Sequence, residues 1–385
     1  MKKKKQMIGI GIAAVLVVLI ILFVINIVNR NYVGYEVLNT AERSDSNTVH
    51  YLPYGGNILK YSRDGASALA PDGSPIWNGS YEMKAPYADV CGSYVVIADI
   101  GGKECYVFNG SDSGTLIRTL DPILQVRVAS QGVVAVVTEQ KDANLITVYN
   151  PYDASNQVVF EIPTVAAESG YPTGIALSQD GIKLATAYVS VKGGVLESSL
   201  TIYNLGDVGK NNINYVVGAK AYEQNLIGEL KFLNKDVLCV FTETGYTLFK
   251  GSQIPEEAYT VTLEEEIRSI FHTDSQVGLI TENKEAEGGR YRVRVFGTGS
   301  EEPALNTTID FNYESVSASG KDILFTSGNS CLILTNSGSE KFRYSFDYMV
   351  QYLFPGNGKN RYCLISDTSI EEIRLSRKDN QAEAE

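Results

Sequence analysis

Histidine is nearly absent from this 385-residue chain: His50 and His272 are the only two. Metal centres and nucleophilic triads draw heavily on imidazole, so chemistry of that kind is disfavoured at once. The motifs that would rescue it are missing as well. No H-E-x-x-H, G-x-S-x-G or Walker pattern occurs, and there is no D-x-D-x-D-G calcium loop. The two histidines sit beside apolar residues with no clustered partners, which reads as structural use. Cysteine is sparse and odd in number: Cys91, Cys105, Cys239, Cys331 and Cys363, with no C-x-x-C. A disulfide framework is dense and even. Most of these thiols lie inside apolar runs and read as small buried hydrophobes, with a Cys91–Cys105 bridge left open. Tryptophan occurs once, at Trp77. No metal or cofactor is expected.

Long apolar runs are also absent, with one exception. Residues 7–28 hold no charge and a single amide, Asn26, after the cationic start Lys2, Lys3, Lys4 and Lys5. A run of about 20 apolar residues spans a bilayer core as a helix. A cleaved signal peptide has a shorter apolar core and a small-x-small cleavage site. Here the run ends Ile25-Asn-Ile-Val-Asn-Arg30 and offers none. The expectation is an uncleaved signal anchor. The lysines predict a cytoplasmic N-terminus of residues 1–6 and a C-terminal domain on the far side of the membrane, by the positive-inside rule. Gly9 and Ala13 form a small-xxx-small pair that suits helix dimerisation.

Net positive charge is lacking beyond that segment. The chain carries −12; without the four N-terminal lysines, 29 basic residues face 45 acidic ones, giving −16. Such a surface repels phosphate backbones, so nucleic acid is not an expected partner, and it does not favour lying flat on anionic lipid. The run Glu264-Glu-Glu266 cannot converge on one ion if extended, because successive strand residues point to opposite faces; a solvated turn is expected there.

Long amphipathic helical stretches are missing too. In their place, short runs rich in Val, Ile, Thr and Tyr recur between clusters of Gly, Asn, Asp and Ser, the signature of all-β folds. One unit reads Tyr87–Cys91, Tyr94–Ala98, Glu104–Phe108 and Thr115–Thr119: four strands with glycines near the turns. Comparable units start near residues 48, 124, 173, 226, 267, 313 and 350, an average spacing close to 42. Propeller blades hold four strands in about 40–45 residues. The expected fold is therefore an all-β propeller of about eight blades spanning 32–376, with seven as the alternative because the third unit is long and vaguely bounded. The last unit runs out after its third strand, before a polar tail expected to be disordered (377–385). The spare run at 32–38 is placed to supply the missing strand, closing the ring and hiding an open edge.

At this point a resemblance emerges. Leu59-Lys-Tyr-Ser-Arg-Asp-Gly-Ala-Ser-Ala-Leu69, Asp72-Gly-Ser-Pro-Ile-Trp77, Val128-Ala-Ser-Gln-Gly-Val-Val-Ala-Val136 and Gly170-Tyr-Pro-Thr-Gly-Ile-Ala-Leu-Ser-Gln-Asp-Gly181 resemble an uncharacterised family of membrane-anchored, propeller-like proteins from Clostridia-type bacteria. The likeness implies architecture and a cell-membrane location, not mechanism. The segment 68–77 is also similar to a quinoprotein-type propeller repeat, in which a Trp docks adjacent blades. Leu177-Ser-Gln-Asp-Gly181 is similar to the S-P-D-G turn of WD40-like propellers, with Gln179 in place of Pro. A fold alone does not imply a function.

The second-to-third-strand turns at 139–144, 190–199 and 282–290 read as enlarged, and turns of that kind emerge on one side of a propeller. They carry Lys141, Asp142, Lys192, Glu197, Lys284, Glu285 and Glu287. Enlarged loops on a rigid scaffold are frequent recognition sites, although surface loops also lengthen at little cost. The expected function is a non-enzymatic binding or scaffold module of the bacterial envelope. Its partner would be another envelope protein or a wall polymer. The alternative is an envelope-polysaccharide hydrolase or lyase, which needs two carboxylates about 5–10 Å apart, contributed here by different blades around the central funnel. A quinone-dependent dehydrogenase is disfavoured by the lone Trp.

Overall fold

A computed structural model describes residues 31–377 except 44, 46, 47 and 112. The expected membrane helix at 7–28 and residues 378–385 of the tail lie outside the described residues. Among the described residues no helix is long and apolar enough to cross a membrane.

The chain folds into eight four-stranded antiparallel sheets, each built from strands consecutive in sequence except at the seam. This is an eight-bladed propeller, so the seven-blade alternative falls. The innermost strands, from the first blade to the eighth, are His50–Tyr54, Pro86–Cys91, Ile123–Val128, Tyr171–Leu177, Ile227–Asn234, Ile267–His272, Ser315–Ser319 and Tyr352–Pro355.

Position in the blade explains sequence pattern. Second strands are sandwiched between neighbouring blades on both faces, so they read as continuous apolar runs; Val134–Glu139 is buried through its first five residues. Third strands vary: Gly245–Lys250 is buried through its first five residues, whereas Tyr291–Gly297 alternates. Outermost strands face water on one side and alternate, as Pro75–Ser80 does. Each sheet alone would leave two apolar faces wet. The ring removes both, and buried clusters fill all eight interfaces between neighbouring blades. At the first interface the ring of Trp77 stacks on Phe108 of the second blade, centroids 4.9 Å apart and planes 13° apart. This is the docking role its resemblance implied. Cys105, Cys239, Cys331 and Cys363 are buried in these interfaces, Cys91 is half-buried, and no two of the five are bonded.

The seam closes as the sequence suggested. Gly34–Glu42 pairs antiparallel with Ser369–Ser376 as the fourth strand of the last blade, with one register shift between Val37 and Asn39. The eighth interface then joins Val49, Tyr51 and Ile58 of the first blade to Cys363, Ile365 and Ile370 of the last.

Alternating strand direction gives the ring two distinct faces. First-to-second and third-to-fourth turns lie on one, called the lower face. Second-to-third turns and the links between blades lie on the other, the upper face.

Candidate functional site

The three segments expected to be enlarged loops all reach the upper face, but only one is a loop of any size. Lys141 and Asp142 sit in a three-residue turn between Val134–Glu139 and Ala143–Tyr149. The segment 190–199 is not a loop: Lys183–Lys192 and Val195–Asn204 continue as paired strands to a two-residue turn. Its last three pairs are Ser190 with Glu197, Val191 with Leu196 and Lys192 with Val195. The flanking strands stop short, at Tyr171 opposite Val189 and Tyr222 opposite Ser198. Residues 190–197 therefore project as a ribbon with both edges unpaired. Gly193 and Gly194 make the turn at φ +59° and +84°, the left-handed pair that a tight hairpin demands. Lys192 and Glu197 pair with each other at 3.1 Å. Beside them Val191, Val195 and Leu196 stand 67%, 48% and 51% exposed.

The segment 283–290 is a loop, held by its own first residue. The Asn283 amide donates to the carbonyls of Glu287 and Gly289 at 3.1 and 2.9 Å. Glu285 pairs with Arg292 at 2.6 Å, and Lys284 and Glu287 are exposed. The seven residues thus share a face but belong to the third, fourth and sixth blades. Among the described residues no hydrogen bond or ion pair joins one group to another.

On the lower face the ring encloses a cavity of about 760 Å³, within the range of small-ligand sites. Its wall comes from the last residues of six innermost strands and the turns after them, in the second to seventh blades. Five titratable or charged side chains from four blades line it: Asp89, Arg127, Lys231, His272 and Asp274, with the thiol of Cys91 beside them. Asp89 accepts the backbone N–H of Val128 at 2.9 Å. Arg127 donates to the Tyr87 hydroxyl at 3.1 Å and to the Val126 carbonyl at 2.8 Å. Asp274 stands exposed on a turn. Among the described residues the Lys231 ammonium makes no hydrogen bond or ion pair, and the His272 ring no hydrogen bond.

Burial, aided by the charge of Lys231, pushes the His272 imidazole down to about 4, so it is neutral at ordinary pH. Burial also raises the Cys91 thiol, with Asp89 adding to the rise and Lys231 opposing it. The charge on the fifth blade is thus felt across the channel at the second. His272, expected to be structural, lines the cavity. His50 lies exposed at the start of the first innermost strand, its ring 5.3 Å from that of Tyr61. In the acidic run, Glu265 pairs with Arg294 at 2.5 Å. Among the described residues no His, Cys, Asp and Glu cluster could hold a metal ion.

The turn similar to S-P-D-G binds neighbouring blades together. Ser178 donates to Asp180 at 2.5 Å and accepts the Lys183 N–H at 2.9 Å, and Gly181 turns at φ +68°. The carbonyl of Gln179 accepts both the N–H and the hydroxyl of Ser130 on the third blade, at 2.8 and 2.7 Å.

A family model described as a family of unknown function (DUF5711) matches residues 28–375. No curated protein matches the sequence. Among solved structures, the chain is similar to Sqt1 of Saccharomyces cerevisiae, with TM-score 0.52 and 11% identity over 91% of this chain and all of that one. It is similar also to Hsv2p of Kluyveromyces lactis, with TM-score 0.51 and 8% identity over 78% of this chain and 98% of that one. The Pan2 WD40 domain of Neurospora crassa aligns at TM-score 0.42 and 11% identity over 76% of this chain and 90% of that one. At such identities the first two likenesses establish the propeller fold alone.

Proposed function

We propose that this chain, which belongs to the DUF5711 family of unknown function, is a membrane-anchored, non-enzymatic binding or scaffold module of the bacterial cell envelope. The observation that carries the reading is the ribbon at 190–197. Open strand edges and exposed aliphatic side chains are normally suppressed on a solvated β-protein because they invite pairing. Here they are built outward on a two-glycine turn, in a form suited to strand addition by a partner. The loop at 283–290 lies on the same face and widens the surface with charge.

The start of the described chain supports this orientation. Tyr32 is already fixed: its N–H donates to the Lys341 carbonyl at 2.8 Å, and its hydroxyl accepts the Asn360 amide at 2.6 Å. Only residues 29–31 separate it from the apolar run, a reach of about 10 Å. Strand Gly34–Glu42 enters its sheet from the lower face. An anchor at 7–28 would therefore hold the lower rim of the eighth blade near the bilayer. The ribbon, on the fourth blade and the upper face, would point away from it, toward wall polymer or a partner protein.

The test is site-specific photocrosslinking in intact cells, with the reactive group at Val191, at Lys284 or, as control, at the exposed lower-face residue Ser337. Discrete adducts from the two upper positions, lost when 190–197 is cut to an Asn-Gly turn, support the reading. Equal labelling at Ser337, or adducts unaffected by shortening, overturns it. The alternative reading, a polysaccharide hydrolase or lyase, rests on the two cavity carboxylates, Asp89 and Asp274. Cleavage of wall fragments by the parent chain and not by Asp274→Asn would favour it.

A further inference from the structure

We infer that the lower-face cavity is a receptor for a small anion, a carboxylate or phosphate group, held by Lys231 and His272 with Arg127 of the third blade lining the same cavity. The site is independent of the upper-face ribbon and of any membrane tether.

Several sheltered cations of this acidic chain are paired. Arg43 pairs with Asp45 at 2.9 Å, Arg294 with Glu265 at 2.5 Å, Lys341 with Asp322 at 2.7 Å, and the wholly buried Lys183 faces Asp180 and Asp236. These four meet carboxylates, as desolvated charge requires. Two half-buried cations are met by aromatic groups instead: Lys250 lies over the Tyr259 ring and Arg127 against Tyr87. Lys231 is half-buried and, among the described residues, meets neither a carboxylate nor a ring, in a chain whose acids outnumber its bases 45 to 33.

The nearby carboxylates do not take it up. Asp89 is engaged by the Val128 amide, and Asp274 turns to solvent. Glu229, on the same strand face two residues earlier, is exposed and outside the cavity wall. Beside Lys231 stands His272, a neutral ring with an N–H and no partner. An ammonium and an imidazole N–H left open toward one cavity form a ready pair of donors for an oxyanion. The Arg127 guanidinium of the third blade, oriented by Tyr87 and Val126, brings a second positive charge to the same cavity. Ser275 and Ser319 also line the space. About 760 Å³ exceeds what a bare ion fills, so the fitting ligand class is a small organic acid or phosphate ester with a polar body.

An anion placed there would reverse the balance that keeps His272 neutral, because its charge favours imidazolium. That linkage supplies the readout. With only two histidines in the chain, ring resonances report each separately, and His50 on the opposite face is the internal control. The full-length chain, purified in mild detergent, is titrated with inorganic phosphate, with glucuronate and with neutral glucose.

The expected result is a saturable shift of the His272 signals with phosphate, glucuronate or both. Its titration midpoint should rise from about 4 toward the ordinary 6.5, while His50 stays still. The responding probe identifies the anion as phosphate or carboxylate. Lys231→Gln should abolish the response and Lys231→Arg retain it. The His50 signals and the unfolding temperature verify that both variants are folded. A His272 signal that ignores both anions, that moves equally with glucose, or that responds unchanged in folded Lys231→Gln overturns the inference.

Discussion

Asn39 donates its side-chain amide to the carboxylate of Glu372 at 2.8 Å, across 333 residues of sequence. The contact belongs to the seam, where the two ends of the chain are stitched into one sheet. Strand Gly34–Glu42 buries little of itself; Gly34 alone is fully covered. Its contribution is to satisfy the backbone edge of Ser369–Ser376, which would otherwise template association. A chain lacking residues 31–42 is expected to elute as soluble oligomers and to unfold at a lower temperature. Asn39→Ala should elute as the parent chain does and lose only about 1 kcal/mol. A truncated chain that elutes like the parent and is equally stable would mean that closure rests on the eighth interface alone.

Buried charge supplies a second test. Lys183 is fully buried and donates from the fourth blade to the Ser252 carbonyl of the fifth at 2.9 Å, with Asp180 and Asp236 at 3.5 and 3.8 Å. Lys183→Met leaves that carbonyl without its donor and two partly exposed carboxylates without their counter-ion. The expected cost is about 2–4 kcal/mol in urea unfolding, toward the lower end because the carboxylates retain water. Arg118→Met removes an exposed pair with Glu104 and should cost less than about 1 kcal/mol. Equal effects would show that the Lys183 clamp is not the interblade tie its burial indicates.

How much of this was legible beforehand depends on whether a feature is local. Val134–Glu139 could be read as an interior strand because five successive buried residues leave a continuous apolar run. The closing strand was visible because the last unit lacked one strand and the first had one to spare. In the sequence the ribbon reads as a loop, although its hairpin signal is present. Val191 and Val195-Leu196 are strand formers around a Gly-Gly pair, which is hairpin chemistry; the unit's unusual length obscured it. The turn carrying Lys141 and Asp142 is smaller than the expected loop at 139–144, because strand ends fade into polar turn residues. The meeting of Arg127, Lys231 and His272 had no sequence signature. They come from three blades, and only the diameter of the ring brings them to one cavity. The propeller likeness to solved structures supplies the ring but not its lining.

The last prediction follows from that lining. His272 is held to about 4 in the folded chain, against 6.5 unperturbed, by burial first and by Lys231 second. Above the unperturbed value both states are neutral and pH has no effect through this group. Between 6.5 and 4 the unfolded chain binds a proton that the folded chain refuses, so stability falls as pH falls through that window, by up to about 3 kcal/mol at its lower end. Lys231 is the charge that opposes protonation; Arg127, Asp89 and Asp274 are the other charged groups lining the cavity. The carboxylates stabilised by pairing, Asp45 and Glu265, lie below their ordinary values of 3.8 and 4.5, so their losses come at lower pH. Moving from about pH 7.5 to about pH 5.5 should therefore cost the parent chain about 1 kcal/mol in urea unfolding. His272→Asn should remove most of that slope. Should His272→Asn keep the slope of the parent, the loss would have to come from other groups, and the imidazole would be free to protonate in the cavity, with Lys231 no barrier to it.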